Sequence, residues 1–192
     1  MYVDKLWECA VAFNKLLDKE YSIIAGKKNN LIEICIFFEK THFVHLIGID
    51  KLNDIKIPKM NSTKLFDYIL NGKLSFDDIA KSVRFEQISD RIEYFPYLEQ
   101  MLDSEEIIIK YNRLKAKSSV QAQYILYSKM DNLNIQYFID IDSSVGKYFG
   151  RTFFTRKDNL YLTDNPYIIL KKVKILKLDN SDDQILFIKQ RK

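Results

Sequence analysis

The spacing of apolar positions changes along the chain, and each spacing predicts a different element. Over residues 2–20, Leu6, Ala10, Phe13 and Leu17 recur at four-and-three intervals with Lys and Asp between them, which predicts an amphipathic helix. Gly26-Lys-Lys-Asn-Asn30 reads as a turn. Leu31 to Ile49 is dense in β-branched and aromatic residues and reads as β, a hairpin broken near Lys40-Thr41 and ending near Gly48. Asn53 to Asn61, with Pro58, is irregular. Three helical pieces follow. Ser62 caps Thr63–Leu70, which Asn71-Gly72 ends. Ser75 with Asp78 forms a capping box for a helix through Lys81, and Ser89-Asp90 opens a longer helix toward Leu102 with Pro96 near its start or at a kink.

At Glu105 the period shifts to β. Ile107 to Ile109, Val120 to Lys129, Leu133 to Ile141, Gly150 to Arg156 and Tyr167 to Leu178 read as strands, with Asp131-Asn132 a tight hairpin turn. The order predicts an α+β fold: an N-terminal helix and short helices packed on a mostly antiparallel sheet. At 192 residues one domain, 1–192, is expected, with no internal repeat and no linker.

Composition narrows the class. Aromatics are plentiful while Gly and Pro are scarce, which suits a folded domain. Cys9 and Cys35 lie far apart without a CxxC, so they read as reduced core residues rather than a disulfide frame or zinc site. No run of about 18 apolar residues and no signal-peptide pattern is present, so the expected location is cytoplasmic, without a membrane partner. The net charge of +4 is unevenly spread. Residues 1–109 hold 14 Lys+Arg and 18 Asp+Glu, whereas residues 110–192 hold 16 and 8. A cationic second half suits a polyanion such as nucleic acid, although surface lysines would give the same balance.

The chain has two histidines, His42 and His45, in Glu39-Lys-Thr-His-Phe-Val-His-Leu-Ile-Gly-Ile49. Histidine suits proton transfer near neutral pH. On a strand, residues three apart point to opposite faces, so only one could serve a site. His45 is the candidate, and a half-buried histidine held by backbone is the alternative. A second constellation runs from Tyr111 to Tyr127. Arg113, Lys115 and Lys117 alternate and could share a strand face, with Ser118 and Ser119 beyond them, a pattern suited to phosphate or to a solvated strand edge. A third is Tyr148-Phe-Gly-Arg-Thr-Phe-Phe-Thr-Arg156. There Phe153 and Phe154 look like core anchors, and Arg151 and Thr152 follow a glycine that lets backbone approach a ligand. Arg156 is the weaker candidate. Asp140 and Asp142 could hold Mg²⁺ from one strand face, but the following Ser143-Ser144 favours a turn. No phosphate loop, HExxH or GxSxG is present, and no cofactor is expected.

Phe43-Val-His-Leu-Ile-Gly-Ile49, Lys117-Ser-Ser with Gln123-Tyr-Ile-Leu126, and Arg151-Thr-Phe-Phe154 together resemble the phage-associated nuclease-like domains grouped with barnase, EndoU, colicin D and RelE, over about residues 20–180. The resemblance implies helices on an antiparallel sheet and metal-independent cleavage of RNA, tRNA among the candidates, by attack of the ribose 2′-OH on the adjacent phosphate. It implies His45 as base or acid, and Arg151 and Lys117 as phosphate holders. Thr152, Ser118 or Ser119 would orient the phosphate, with Arg113 and Lys115 along the substrate. Family members often carry an acidic residue where this chain has Gln123, so Tyr124, Tyr148 or Lys117 would supply the second proton function. A toxin of this type would have an antitoxin or immunity partner. The rival expectation is a non-catalytic phage-type inhibitor, an anti-defence protein whose basic face binds nucleic acid or a protein. A metal-dependent nuclease using Asp140 and Asp142 is the third.

Overall fold

Asp4 starts the first helix by accepting a hydrogen bond from the Trp7 amide at 2.9 Å, and Leu6, Cys9, Ala10 and Phe13 form its buried stripe. The computed structural model describes residues 3–104, 107–130, 133–158, 161–162, 164–177 and 183–189. Helix α1 (Lys5–Asn14) is shorter than its apolar period, and strand β1 (Lys19–Lys27) already begins within the stretch expected to be helical. β1 pairs with β2 (Asn30–Phe37) through a turn at Lys28, which adopts a left-handed φ of 55°.

The next segment departs from the sequence expectation. Residues 40–47 form helix α2 (Lys40–Ile47), not a strand. Its buried residues are Phe43, Val44, Leu46 and Ile47, a helical stripe; strand alternation would have grouped His45 with Phe43 and Ile47. The Glu39 amide donates to His42 Nδ1 at 3.2 Å at the start, and Gly48, with φ of 78°, closes the end. Helices α3 (Ser62–Leu70) and α4 (Phe76–Ala80) follow. Asn61 rather than Ser62 caps α3, and Ser75 with Asp78 forms the expected capping box of α4. The helix expected from Ser89 to Leu102 breaks at Pro96 into α5 (Ser89–Tyr94), a 3-10 turn and α6 (Leu98–Asp103), because proline lacks the amide donor.

The remaining strands are β3 (Ile107–Lys110), β4 (Tyr124–Met130), β5 (Leu133–Asp142), β6 (Lys147–Arg156), β7 (Ile168–Leu176) and β8 (Gln184–Ile188). They join β1 and β2 in one α+β sheet of order β3-β4-β5-β6-β2-β1-β7-β8. The expected Asp131-Asn132 turn and Glu105 lie outside the described residues; the flanking strands pair Met130 with Leu133. Every pairing is antiparallel except β2 with β6, which is parallel and meets at one position, Ile36 opposite Tyr148. The sheet also turns back on itself, since Tyr167 donates its amide to the Ile108 carbonyl at 2.7 Å. Among the described residues no helix is long and apolar enough to cross a membrane.

The main core lies between the helices and one sheet face. An aromatic cluster joins them: Phe13 and Phe43 each meet Phe66 and Phe95, and one another, with ring centroids 5.0–6.0 Å apart, and Phe95 meets Phe153 of β6 edge-on at 5.6 Å. A smaller cluster of Tyr111, Ala116, Ile125 and Phe138 occupies the opposite face, with Phe154 and Tyr161 packed against it. Arg113, Lys115 and Lys117 are not on a strand. Residues 113–117 form a turn closed by the Ala116 amide on the Asn112 carbonyl, and Lys117 has φ of 47°.

Gly150 is needed for packing rather than for ligand approach. A Cβ there would lie 2.2 Å from the hydroxyl of fully buried Tyr137. Gly150→Ala is expected to lower stability by about 1–3 kcal/mol through overpacking, measured by denaturant unfolding. A wild-type midpoint would contradict that packing.

His42 supports a second prediction. It stacks on Phe149 at 5.1 Å, meets Phe37 edge-on, and accepts the Glu39 amide through Nδ1. Burial lowers its pKa below the ordinary 6.5, against the opposing pull of Glu39 and Asp142. Above the ordinary value both folded and unfolded states are neutral, so its stabilisation is complete. As pH falls below it, the unfolded chain takes the proton first and stability drains away until the folded pKa is passed. Wild type should therefore lose unfolding temperature between about pH 7 and pH 5, above the ordinary range of the paired carboxylates Glu20 and Glu99. His42→Gln should show a flatter profile there; coincident profiles would reject His42 as the titrating group.

Candidate active site

Beyond the single bridge at Tyr148, β6 pairs with no further strand on its β2 side among the described residues, and helices α2 and α5 pack against it. Thr155 of β6 donates its hydroxyl to Asp90 at the start of α5 at 3.1 Å. On the other side, β6 carries a bulge: Phe138 faces Thr152 and Ile139 faces Gly150, so Arg151 is the extra residue. A bulge redirects successive side chains, and Arg151 and Thr152 line the same cleft despite being neighbours. The cleft has a volume of about 450 Å³, and its walls also include His45, Lys51, Arg91, Phe154, Tyr161 and the segment Ser118–Gln121.

Arg91, on α5, was not among the residues singled out from sequence. It is 3% exposed, and its guanidinium carbon lies 4.4 Å from the Phe154 ring centroid. Its Nη1 donates to Thr152 Oγ1 at 3.1 Å and reaches the Leu46 carbonyl at 3.5 Å. Phe154 in turn stacks on Tyr161 at 6.1 Å, and Tyr161 lies 5.2 Å from the Arg156 guanidinium, which Asp158 holds with two bonds. Gly48 leaves room for Arg91: a Cβ there would come within 3.3 Å of Nη1 and 2.9 Å of Ile88. Burial pulls the guanidinium down to about 10, with Asp50 opposing, so Arg91 remains charged at neutral pH. The Lys51 ammonium is lowered by burial first and then by Arg91, and it lies 5.7 Å from the Phe154 ring.

His45 sits in the last turn of α2 at the cleft wall, with Nδ1 2.8 Å from Asp50 Oδ2. Asp50 follows the Gly48 cap, whose left-handed turn brings the chain back beside the histidine. A carboxylate only accepts, so in the neutral imidazole the shared proton belongs on Nδ1 and Nε2 carries the lone pair. The pair is exposed.

The structure therefore brings together His45, Arg151, Thr152, Ser118 and Ser119 from the sequence candidates. Arg113, Lys115 and Lys117 stay on the exposed turn outside the cleft walls. Gln123, Tyr124 and Tyr148 form a separate group, with the Tyr148 hydroxyl 3.4 Å from Gln123 Oε1 and the two tyrosine rings 5.9 Å apart. Phe153 is a core anchor, whereas Phe154 is a partly exposed cleft wall. Asp142 accepts from the amide and hydroxyl of Ser144, and Asp140 accepts from the Ile141 amide, as a turn requires. The signal for Arg91 was present in sequence as one cation between Ile88 and Ile92 on the buried side of a helix.

Comparison with known protein families finds a match to the family model described as phage-Barnase-EndoU-ColicinE5/D-RelE like nuclease4, over residues 5–192. No curated protein and no solved structure matched. The match covers nearly the whole chain and includes every wall of the cleft, so the protein belongs to this phage barnase-EndoU-colicin-RelE-like nuclease family.

Proposed function

We propose that the protein is a metal-independent endoribonuclease that cleaves RNA by attack of a ribose 2′-OH on the adjacent phosphate. The observation that carries this reading is the His45–Asp50 pair on the wall of a cation-rich cleft. Membership of a nuclease family supports the reaction class. His45 Nε2 takes the proton from the 2′-OH as it attacks phosphorus, and the bond to the 5′-oxygen breaks to leave a 2′,3′-cyclic phosphate. Asp50 holds the imidazole in the required tautomer and stabilises the cation formed. Lys51 is the proposed donor to the leaving oxygen. Its lowered pKa makes that proton easier to give, and it lines the cleft, whereas Lys117, Tyr124 and Tyr148 are not among the cleft walls. Arg151 adds positive charge where the phosphorane-like charge develops, and Ser118 or Ser119 orients the phosphate. The exposed Arg113, Lys115 and Lys117 turn suits contacts along a flanking strand. If the protein acts as a toxin, its inhibitor would present acidic groups to the same cleft.

Purified protein with total RNA and defined tRNAs in EDTA tests this. Wild type should cleave RNA, leave 2′,3′-cyclic ends and spare DNA. His45→Ala should lower the rate by about two decades or more without lowering the unfolding temperature. Cleavage at the wild-type rate in the mutant would remove His45 from the mechanism. Salt-sensitive RNA binding without cleavage would favour a non-catalytic binding protein.

A further inference from the structure

We infer that Arg91 and Thr152 form a built seat for one phosphodiester group of a nucleic-acid strand. The choice of phosphodiester rests on the nuclease reading; the anion seat itself does not. Three groups carry it. Among the described residues, Arg91 Nε has no hydrogen-bond partner although it is buried, and Nη2 has none either. These two nitrogens present parallel N–H bonds, the edge with which a guanidinium grips two oxygens of a phosphate. Thr152 Oγ1 accepts from Arg91 Nη1, which leaves its own proton to donate. All of this lines the cleft beside Lys51, Arg151 and His45.

The rest of the fold matches its buried cations with acceptors. Lys174 meets Glu99 at 2.7 Å and Asp103 at 2.8 Å, and Lys172 reaches the carbonyls of Leu102 and Ser104. Even half-exposed Lys147 and Lys177 share Glu20. Arg91 has an aromatic face and no carboxylate within ion-pair distance among the described residues. A guanidinium buried on a ring with one edge unpaired is arranged for an incoming anion.

Titration calorimetry of the full chain with inorganic phosphate, at fixed ionic strength in chloride, tests the seat. Wild type should bind phosphate in preference to chloride. Arg91→Met should weaken binding at least tenfold without a lower unfolding temperature in chloride, because it removes a buried charge that no carboxylate among the described residues meets in an ion pair. Arg91→Lys keeps the charge and loses the fork. It should also weaken binding about tenfold, and it decides the matter where the methionine variant does not fold. Wild-type phosphate affinity in Arg91→Lys would overturn the seat, even with His45-dependent cleavage intact. Phosphate binding in a wild type that cuts no RNA would uphold the seat and remove the nuclease reading. A single-stranded oligodeoxynucleotide, which lacks the attacking 2′-OH, should displace phosphate. Failure to displace it would overturn the nucleic-acid assignment and point to a free phosphate or to a protein carboxylate.

Discussion

Strands β2 and β6 touch at one register position, and the cleft depends on that brevity. A longer parallel pairing would bury the edge of β6 in the sheet. Because pairing stops at Tyr148, the following half of β6 faces the helical layer, and the end of α2 and the start of α5 fill the gap. Arg91 reaches through this gap to Phe154 and Thr152, while the Arg151 bulge keeps two neighbouring residues on one cleft wall. The aromatic cluster around Phe95 and Phe153 anchors the helices to the same strand, so the α2, α5 and β6 walls of the cleft are held by the main core.

The two histidines show how environment divides identical side chains. They lie three residues apart on one helix, yet His42 is wedged between Phe37 and Phe149 and uses Nδ1 to accept a backbone amide. That fixes a neutral imidazole with a structural role. His45 is exposed and turns its Nδ1 to Asp50, the geometry on which its proposed role as base rests. Burial and hydrogen bonding, not the residue type, set the roles.

The α+β class, the capping box of α4, the turn after α3 and the antiparallel C-terminal strands were legible in the sequence because local rules decide them. The α2 segment was not read as a helix because its β-branched composition outweighed the buried stripe at 43, 44, 46 and 47; packing against α3 and β6 overrode propensity. The basic run at 113–117 alternated like a strand, but the backbone turns there, and Lys117 leaves the cleft with it. Arg91 was missed because a lone cation in a helix usually faces water. Its burial becomes visible only when β6 supplies the ring beneath it.

Arg91, in the cleft at the open edge of β6, is the proposed seat of the substrate backbone. The most direct measurement is a ¹⁵N NMR titration of the full chain with a single-stranded oligonucleotide lacking 2′-hydroxyls, following the Arg91 side-chain Nε–H beside the backbone amides. This Nε–H and the amides of Thr152, Phe154 and His45 should move together with one saturation curve. An unmoved Arg91 Nε–H, with shifts confined to the 113–117 turn or to the Gln123–Tyr148 group, would contradict it.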